Sequence, residues 1–202
     1  MSLLIGLTGR SGAGKSAACR VFLEHGIPCI DADRVYHEML QESNACTSDL
    51  IAAFGNGIAT DGGGVDRKAL SRVVFSRTDV AAALHTLNTI THKYIMANVK
   101  KLLQGYHSEG KKAVVFDAPQ LFEAGADADC DVILGIIAED EVCVRRIMAR
   151  DGIDAQAASR RLSAQHDNSF FKARCHAVIE NNSDDAEQLA REVCRFIKTL
   201  GV

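Results

Sequence analysis

The sequence lacks the features that direct a chain to a membrane, a secretion pathway or a nucleic acid. Its 202 residues include only two prolines and no tryptophan, and its formal net charge is −3. A chain without an overall positive charge has no long-range attraction for a phosphate backbone. No apolar run approaches membrane-spanning length, and the start, MSLLIGLTG, has no basic region typical of a signal peptide. We therefore expect a cytoplasmic protein with neither a membrane nor a nucleic acid as its partner.

The sequence also lacks the cysteine spacings of disulfide-rich and zinc-binding domains. Its seven cysteines are an odd number with no C-x-x-C pair, and its seven histidines form no H-E-x-x-H motif. Scattered free thiols are typical of a reducing cytosol, where most serve as small core residues. The sequence therefore predicts neither a disulfide framework nor a zinc site.

Short apolar runs alternate with helical segments along the chain. Strands are predicted within five segments, at 3–7, 26–33, 112–119, 130–138 and 176–180. Apolar residues at helical spacing predict helices from Lys15 to about His25, from about Arg34, over 79–104 and over 186–197. This alternation is typical of an α/β fold, a three-layer, doubly wound and mainly parallel sheet with helices on both faces.

One long helical stretch interrupts the alternation. Because no strand is predicted between about 34 and 110, we expect a helical subdomain inserted into the sheet domain. Within it, the glycine-rich segment 55–66 is expected to form a flexible surface loop. The predicted parts of this single domain are a core at about 1–33, 111–140 and 176–202, a helical subdomain at about 34–110 and a lid at about 141–175.

A phosphate-binding loop follows the first predicted strand. Gly9, Gly14, Lys15 and Ser16 satisfy the pattern G-x-x-x-x-G-K-[ST], with a strand before it and a helix after it. Glycines let successive amides turn inward onto anionic oxygens, and the helix adds the positive end of its dipole. Lys15 is expected to act in catalysis by reaching the outer phosphates of ATP, and Ser16 to bind the accompanying Mg²⁺. Unless this is a glycine-rich turn without a ligand, the residues that hold the nucleotide are Ser11, Gly12, Ala13, Gly14, Lys15, Ser16 and Ala17.

The segment VVFD at 114–117 predicts an apolar strand that ends in a carboxylate. Asp117 is a candidate for the magnesium site, or else a strand-end residue that caps the next turn. Ala118 follows it, where many ATPases have a glutamate that activates water, and the chain has no N-K-x-D motif for guanine. Both absences argue against motor ATPases and GTPases and favour a kinase that acts on a small molecule.

Two carboxylates, Asp31 and Asp33, end the second predicted strand. Residues two apart in a strand point to one side, so both are expected to share a face at the carboxyl end of the sheet, where such folds bind ligands. A hydroxyl nucleophile needs a carboxylate that orients it and takes its proton. Asp33 is the candidate for that catalytic base, with helix N-capping as an alternative or additional role. Asp31 is either structural or a ligand of Mg²⁺ through water.

A basic segment occurs in the otherwise acidic chain. Residues 144–174 contain seven arginines and lysines against three aspartates, a balance of +4. Arg146 and Arg150 are four residues apart and therefore share one face of a helix. A flap rich in arginine can neutralise the charge that builds on a transferred phosphoryl group and can exclude water. The alternative is a solvated helix face with ordinary ion pairs.

Seven segments, in order along the chain, resemble the dephospho-coenzyme A kinase family. They are GLTGRSGAGKS, GIPCIDADRV, VDRKALSRVVF, LNTITHKYI, FDAPQLFE, RRIMARDGI and VIENNSD. The resemblance covers nearly the whole chain, and IDAD together with D-R-x-x-L…V-F is its most diagnostic part. It implies a P-loop core, a helical CoA-binding subdomain and a lid. It also implies transfer of the γ-phosphate of ATP to the ribose 3′-hydroxyl of dephospho-CoA, the last step of coenzyme A biosynthesis.

The resemblance implies roles in binding the acceptor. Thr8 falls beside the transfer site, and Asp33 falls on the catalytic base. Arg67 and His92 fall in the substrate-binding subdomain. Taken alone, Arg67 could equally be a surface ion-pair partner, and His92 a core histidine.

The resemblance also implies roles around the nucleotide. Arg146 and Arg150 fall on the lid, where Arg146 would act in catalysis and Arg150 would bind ATP. Asn182 falls near the adenine, although asparagine at this position is also typical of a turn.

Four positions depart from the usual family pattern. Lys93 stands where the family usually has proline, and Gln120 where it usually has leucine. His176 lies in a segment that usually carries an acidic residue, and Ser183 replaces a common glycine. These changes lie around the substrate and adenine ends, so they bear on substrate affinity more than on the chemistry.

Three other functions stay open at this level. A kinase for another nucleoside-like or small alcohol acceptor would share the loop and the base. A nucleotide-sensing protein would bind ATP without transferring phosphate, and a nucleic-acid regulator would use the basic segment 144–174. We expect a monomer, with a small homo-oligomer as the alternative.

Overall fold

The structure is a computed structural model that describes residues 2–202. It divides into two compact units. The first unit comprises Met1–Ile30 and Leu103–Val202, and the second comprises Asp31–Leu102.

A five-stranded sheet forms the centre of the first unit. Its strands are β1 (Leu3–Gly9), β2 (Cys29–Asp31), β3 (Ala113–Asp117), β4 (Val132–Ile137) and β5 (Ala177–Glu180). The order across the sheet is β2-β3-β1-β4-β5; β1 pairs in parallel with β3 and with β4, and β4 pairs in parallel with β5. The predicted strands and the doubly wound α/β architecture are therefore confirmed.

Helices occupy most of the remaining chain. They are α1 (Lys15–Glu24), α2 (Ala32–Met39), α3 (Ala45–Phe54), α4 (Arg67–Ser76), α5 (Val80–Ser108), α6 (Asp140–Asp151), α7 (Ala155–Ser163), α8 (Asn168–Arg174) and α9 (Ala186–Leu200). Although α5 has 29 residues, no helix within residues 2–202 has the length and hydrophobicity needed to cross a bilayer.

The sheet of the first unit is covered on both faces, which explains why its strands are apolar throughout. On one face, Ile5 and Leu7 of β1 are buried in a core shared with α1, α6, α7 and α9. On the other face, a Cβ added at Gly6 would lie 2.9 Å from both Cys130 Sγ and Leu121 Cδ2. The segment after β3 therefore packs directly on that side.

Helices α2, α3 and α4 and the first part of α5 enclose a core in the second unit. Segment 55–66 contributes to it, since Ile58 and Val65 are buried and Ala59 forms an antiparallel bridge with Val65. The prediction of a flexible surface loop is thus wrong around Ile58 and Val65. Their apolar side chains anchor the segment, whereas residues 55–57 and 59–62 are exposed.

The start of α2 differs from the prediction. The helix begins at Ala32, and Asp31 is its N-cap, because the Asp31 side chain accepts a hydrogen bond of 3.0 Å from the amide of Arg34. Asp33 therefore lies in the first helical turn. The predictions that Asp33 is the N-cap, and that it shares a strand face with Asp31, are wrong, since Asp31, the last residue of β2, already caps the helix.

Gly9, the last residue of β1, is required by its surroundings. Its φ is +136°, and a Cβ would lie 2.0 Å from the carbonyl oxygen of Ile136 in β4. We expect Gly9→Ala to lower the free energy of unfolding by more than about 3 kcal/mol, because backbone atoms of two strands would have to separate. Denaturant unfolding measures this loss.

Gly26→Ala is the matched control. Gly26 also has a positive φ, +73°, but a Cβ there meets nothing within 4 Å. Its expected loss is only the left-handed backbone penalty of roughly 1–2 kcal/mol. Equal losses in the two variants would contradict the claim that the close approach of β4 requires glycine.

Candidate active site

The loop between β1 and α1, residues 9–16, is the centre of the candidate site and is here called the P-loop. The connection after β1 leads towards β2 at one edge of the sheet, and the connection after β4 leads to β5 at the other edge. The P-loop therefore lies at the point where the strand order reverses, and ligands bind there in open α/β sheets.

The N-terminus of α1 lacks the side-chain cap that most of the other helix starts have. In seven other helices an aspartate or asparagine side chain accepts from the first-turn amides: Asp31, Asn44, Asp66, Asp79, Asp154, Asp167 and Asp185. The N-cap of α1 is Gly14, at φ +113°, which has no side chain to cap with. The first-turn amides of α1, at the positive end of the helix dipole, are thus suited to an anionic ligand.

Lys15 is folded back onto the P-loop. Its Nζ donates to the carbonyl oxygens of Gly9 at 2.7 Å and Arg10 at 3.4 Å. Ser16, the next residue of α1, is exposed. An ammonium and a hydroxyl group thus lie side by side at the start of the helix, which is the donor set that a nucleotide phosphate with its cation requires.

Arg146 of α6 joins the P-loop to the segment after β5. Its guanidinium donates to the carbonyl oxygens of Asn181 at 2.9 Å, Ser183 at 2.5 Å and Gly12 at 3.4 Å. It also pairs with Asp184 at 3.3 Å. The structure thus brings this predicted catalytic arginine into direct contact with the predicted phosphate-binding loop.

Arg150, one turn further along α6, reaches the other side of the P-loop. Its Nη2 lies 3.3 Å from the hydroxyl of Ser11, whose amide donates to Gln165 Oε1 at 2.8 Å. Asp151 pairs with both Arg150 and Arg161. The hydrogen bond from Arg150, assisted by the charges of both arginines, holds the pKa of the Asp151 carboxyl below its usual value. Helix α6 and the segment after α7 therefore both make polar contacts with the P-loop.

Two consecutive asparagines follow β5, and only the second was predicted as a site residue. Asn182 accepts from the amide of Glu139 at 2.8 Å, which links this segment to the start of α6. Asn181 is buried and donates to the carbonyl oxygen of Ala13 at 2.7 Å; a Cβ at Gly14 would lie 2.5 Å from its Nδ2. Asn181 therefore supports the P-loop directly. The sequence signal that could have identified Asn181 was an asparagine pair at the carboxyl end of a predicted strand.

Arg10 is a second residue that sequence reasoning missed. It is only 5% exposed and pairs with Asp140, the first residue of α6. Its charge, in a loop otherwise made of small residues and Lys15, was the signal in the sequence. This pair, buried on the Arg10 side and exposed on the Asp140 side, attaches the beginning of α6 to the P-loop.

Thr8 and Asp117 lie at the ends of the two central strands. Thr8 is fully buried, and its hydroxyl donates to the carbonyl oxygen of Pro119 at 3.4 Å. Asp117 accepts from Cys19 Sγ at 3.5 Å. A hydrogen bond with Cys29, burial and the charge of Asp117 raise the pKa of the Cys19 thiol, which therefore stays protonated as a donor to the carboxylate.

A family model for dephospho-CoA kinase matches residues 3–187. The chain belongs to the dephospho-CoA kinase family. Dephospho-CoA kinase from Fusobacterium nucleatum is 35% identical over 198 residues, which are 98% of each chain. A solved dephospho-CoA kinase from Campylobacter jejuni has 26% identity and a TM-score of 0.71, with 99% of this chain and 98% of that chain covered.

A shikimate kinase from Acinetobacter baumannii shares the fold. It has 16% identity and a TM-score of 0.55, and the match covers 98% of this chain and 94% of that chain. The dephospho-CoA kinase family and the P-loop kinase fold, both expected from the seven segments, are confirmed by these comparisons.

Within residues 2–202 of this dephospho-CoA kinase family member, no group of three or more His, Cys, Asp or Glu side chains is placed to hold a metal ion. The P-loop instead presents an ammonium, a hydroxyl and backbone amides, which suit a phosphate chain. This donor set fits a magnesium ion that arrives with the nucleotide and keeps most of its ligands as phosphate oxygens and water.

Most charges of the basic segment 144–174 are compensated by acidic partners. Six of its seven cations form ion pairs: Arg145 and Arg146 with Asp184, Arg150 and Arg161 with Asp151, Lys172 with Glu180 and Arg174 with Asp127. Because these cations already have partners within the fold, the segment offers little free positive charge to a nucleic acid.

Apart from Thr8, the predicted acceptor-binding residues lie in the second unit. Asp33 is exposed in the first turn of α2, and His92 is half-buried on α5. Arg67 begins α4 and lines a groove of about 680 Å³ together with Lys68 and Arg72. Three cations along one groove are suited to an anionic ligand.

Proposed function

We propose that this protein transfers the γ-phosphoryl group of ATP to the ribose 3′-hydroxyl of dephospho-CoA, giving CoA and ADP in the last step of coenzyme A biosynthesis. The family match along 3–187 supports the choice of acceptor. The observation that carries the chemistry is the contact of Arg146 with Gly12 and with the residues after β5, because it places a guanidinium against the P-loop. We further propose that the protein acts in the cytoplasm as a monomer.

On the nucleotide side, the amides of Ser11–Ala17 would hold the phosphates. Lys15 would exchange its carbonyl partners for phosphate oxygens, and Arg150 and Asn182 would contact the nucleotide from α6 and from the segment after β5. Mg²⁺, bound together with ATP, would neutralise charge on the outer phosphates, and Ser16 would be its protein ligand. Asp117 is a second candidate ligand of that ion, through a bound water molecule.

On the acceptor side, Asp33 would orient the 3′-hydroxyl and take its proton. Arg67 and His92 would bind the acceptor, and Thr8 would lie beside the transferred group. Asp31 already caps α2, which favours its structural role over the metal-binding one.

We assign the second unit to CoA binding and residues 141–175 to a lid. In this assignment Arg146 stabilises the charge on the transferred phosphoryl group. The polar contacts from α6 and from Gln165 to the P-loop support it, because they couple any movement of these residues to the geometry of the loop.

Arg146→Gln is expected to lower kcat by about 10²–10³-fold, because a preorganised positive charge at the transferred group is lost. Steady-state kinetics with MgATP and dephospho-CoA measure it. Arg145→Gln is the matched control: Arg145 pairs with the same Asp184, at 2.7 Å, but is not proposed to contact the nucleotide. A kcat that falls equally in both variants would contradict the catalytic role of Arg146.

A chromatographic assay tests the proposed function. The purified protein is incubated with MgATP and dephospho-CoA, and CoA and ADP are quantified. We expect equal amounts of both. ADP without CoA would reject the acceptor and call for a panel of other nucleoside-like alcohols, whereas ATP binding without any ADP would identify a nucleotide sensor.

A further inference from the structure

A cysteine and a histidine meet at the end of α1 that lies away from the P-loop. Cys194 of α9 is half-buried, and its Sγ lies 3.5 Å from Nε2 of His25, the residue that follows α1. Helix α1 has ten residues, so at 1.5 Å per residue this pair is about 15 Å from Lys15. Neither residue has a part in the proposed phosphoryl transfer.

The second ring nitrogen determines what His25 offers to the thiol. Nδ1 lies 2.8 Å from the carbonyl oxygen of Val21. A carbonyl oxygen only accepts hydrogen bonds, so in the neutral ring Nδ1 carries the proton and Nε2 is an acceptor. The Cys194 thiol therefore donates its hydrogen bond to the unprotonated Nε2 of His25. A thiol beside a base held by a third group is the arrangement that activates a sulfur nucleophile.

Aromatic packing holds the two residues in place. Phe22 of α1 and Phe196 of α9 pack edge to face, with their ring centroids 6.3 Å apart. Both side chains are buried in the core of the first unit. Phe22 is three residues from His25, and Phe196 is two residues from Cys194. The packing of α1 against α9 therefore fixes the Cys194–His25 contact.

The groove beside the thiol has charged side chains of both signs. A groove of about 410 Å³ runs along α9, lined by Glu187, Ala190, Arg191, Cys194, Arg195 and Lys198. Three of these side chains are cations and one is an acid. Arg191 pairs with Asp185 and Glu187, and Arg195 pairs with Glu192, so the positive charge that faces a reagent comes from Lys198 in the last turn of the helix. A negatively charged group of a reagent would therefore be favoured beside Lys198.

Most of the other thiols of the chain are less suited to react. Burial raises the pKa of Cys46 and Cys175 to about 11 and that of Cys130 to about 12. Burial also raises the pKa of Cys143. Thiols with raised pKa values stay protonated near neutral pH and are poor nucleophiles.

We propose that Cys194 is a site of reversible thiol–disulfide exchange with low-molecular-weight disulfides that carry phosphate or carboxylate groups. His25 Nε2 takes the proton from Cys194 Sγ, and the sulfur attacks one sulfur of the disulfide. A new S–S bond forms, the S–S bond of the reagent breaks, and the leaving thiolate takes the proton from His25. The products are a mixed disulfide on Cys194 and one free thiol, and no further oxidant is required. The proposal does not depend on the proposed function.

The experiment compares four disulfides with the full-length protein. Oxidised glutathione and the disulfide of CoA are anionic, hydroxyethyl disulfide is neutral and cystamine is cationic. Intact-mass spectrometry and peptide mapping follow the first adduct over time. We expect it on Cys194, with the anionic reagents at least about tenfold faster than cystamine at low salt and the difference shrinking at high salt. The two anionic reagents distinguish carboxylate from phosphate recognition.

Variants test the two parts of the proposal. His25→Asn, in which asparagine still suits a helix end, is expected to slow the adduct about tenfold and to flatten its pH dependence near neutral pH. His85→Asn, at an exposed site on α5, is its control. Lys198→Gln is expected to reduce the preference for anionic reagents, and Lys101→Gln is the control for that change. Circular dichroism checks that each variant is folded.

Three results would overturn the proposal. The first is an adduct that forms on another cysteine before Cys194. The second is reaction with cystamine as fast as with the anionic reagents at low salt. The third is a folded His25→Asn variant that reacts at the same rate and with the same pH profile as the unchanged protein.

Discussion

Lys15→Ala is expected to lower kcat for CoA formation by about 10²–10³-fold and to weaken ATP binding as well. The Lys15 ammonium lies within the P-loop on the carbonyl oxygens of Gly9 and Arg10, so only a small movement separates it from a phosphate bound there. Alanine removes this charge and also leaves those carbonyl groups without its hydrogen bonds. Steady-state kinetics measure the first effect, and calorimetric titration with MgATP measures the second.

Lys112→Ala is the control for Lys15→Ala. Lys112 is an exposed lysine of the same unit, directly before β3, and its side chain has no role in the proposed site. We expect it to leave both the kinetics and the titration unchanged. An unchanged ATP titration for Lys15→Ala would count against the P-loop as the nucleotide site.

Asp33→Asn is expected to lower kcat by about 10²–10⁴-fold while ATP affinity stays the same. Asparagine keeps the shape of the side chain and its place in the first turn of α2, but it does not take a proton from the 3′-hydroxyl. The separation of kcat from ATP affinity is what distinguishes loss of a base from damage to the nucleotide site. Rapid-quench measurement of the first turnover, together with an ATP titration, gives both values.

Asp31 supplies the matched control within the same short segment. Asp31→Asn keeps a good N-cap, so we expect nearly unchanged kinetics and stability. Asp31→Ala removes the cap and is expected to lower the free energy of unfolding by about 1 kcal/mol without changing the chemistry of transfer. If Asp31→Asn abolished turnover and Asp33→Asn did not, the base would be Asp31.

The contacts between the P-loop and α6 suggest why the loop and the following helices act together. Arg10 pairs with Asp140 at the start of α6, and Arg150, the next-to-last residue of the helix, contacts Ser11. Arg146 contacts Gly12 between them. One helix therefore holds the P-loop at three points, so a rearrangement of α6 on nucleotide binding would be transmitted to the phosphates.

The P-loop and the strands could be predicted because their signals are local. The spacing of Gly9, Gly14, Lys15 and Ser16 requires a tight turn and a helix within eight residues, and the structure has α1 beginning at Lys15. The β-branched runs of β3 and β4 predict buried strands with no knowledge of their neighbours. The family followed from segments that are each fewer than a dozen residues long.

The start of α2 shows where local signals become ambiguous. Asp31 and Asp33 are both good N-cap residues, and sequence alone does not decide between them. The end of β2 at Asp31 decides it, because the last extended residue before the helix is its N-cap.

Only the tertiary structure could decide which residues support the site from a distance. Asn181, and not Asn182, is buried against the P-loop because the parallel register of β5 on β4 places its amide on the carbonyl oxygen of Ile137. Arg10 meets Asp140 across 130 residues of chain. The Cys194–His25 contact spans 169 residues. Helix, strand and turn propensities act over a few residues, whereas these contacts depend on how separate elements pack, and that is settled by the folded core as a whole.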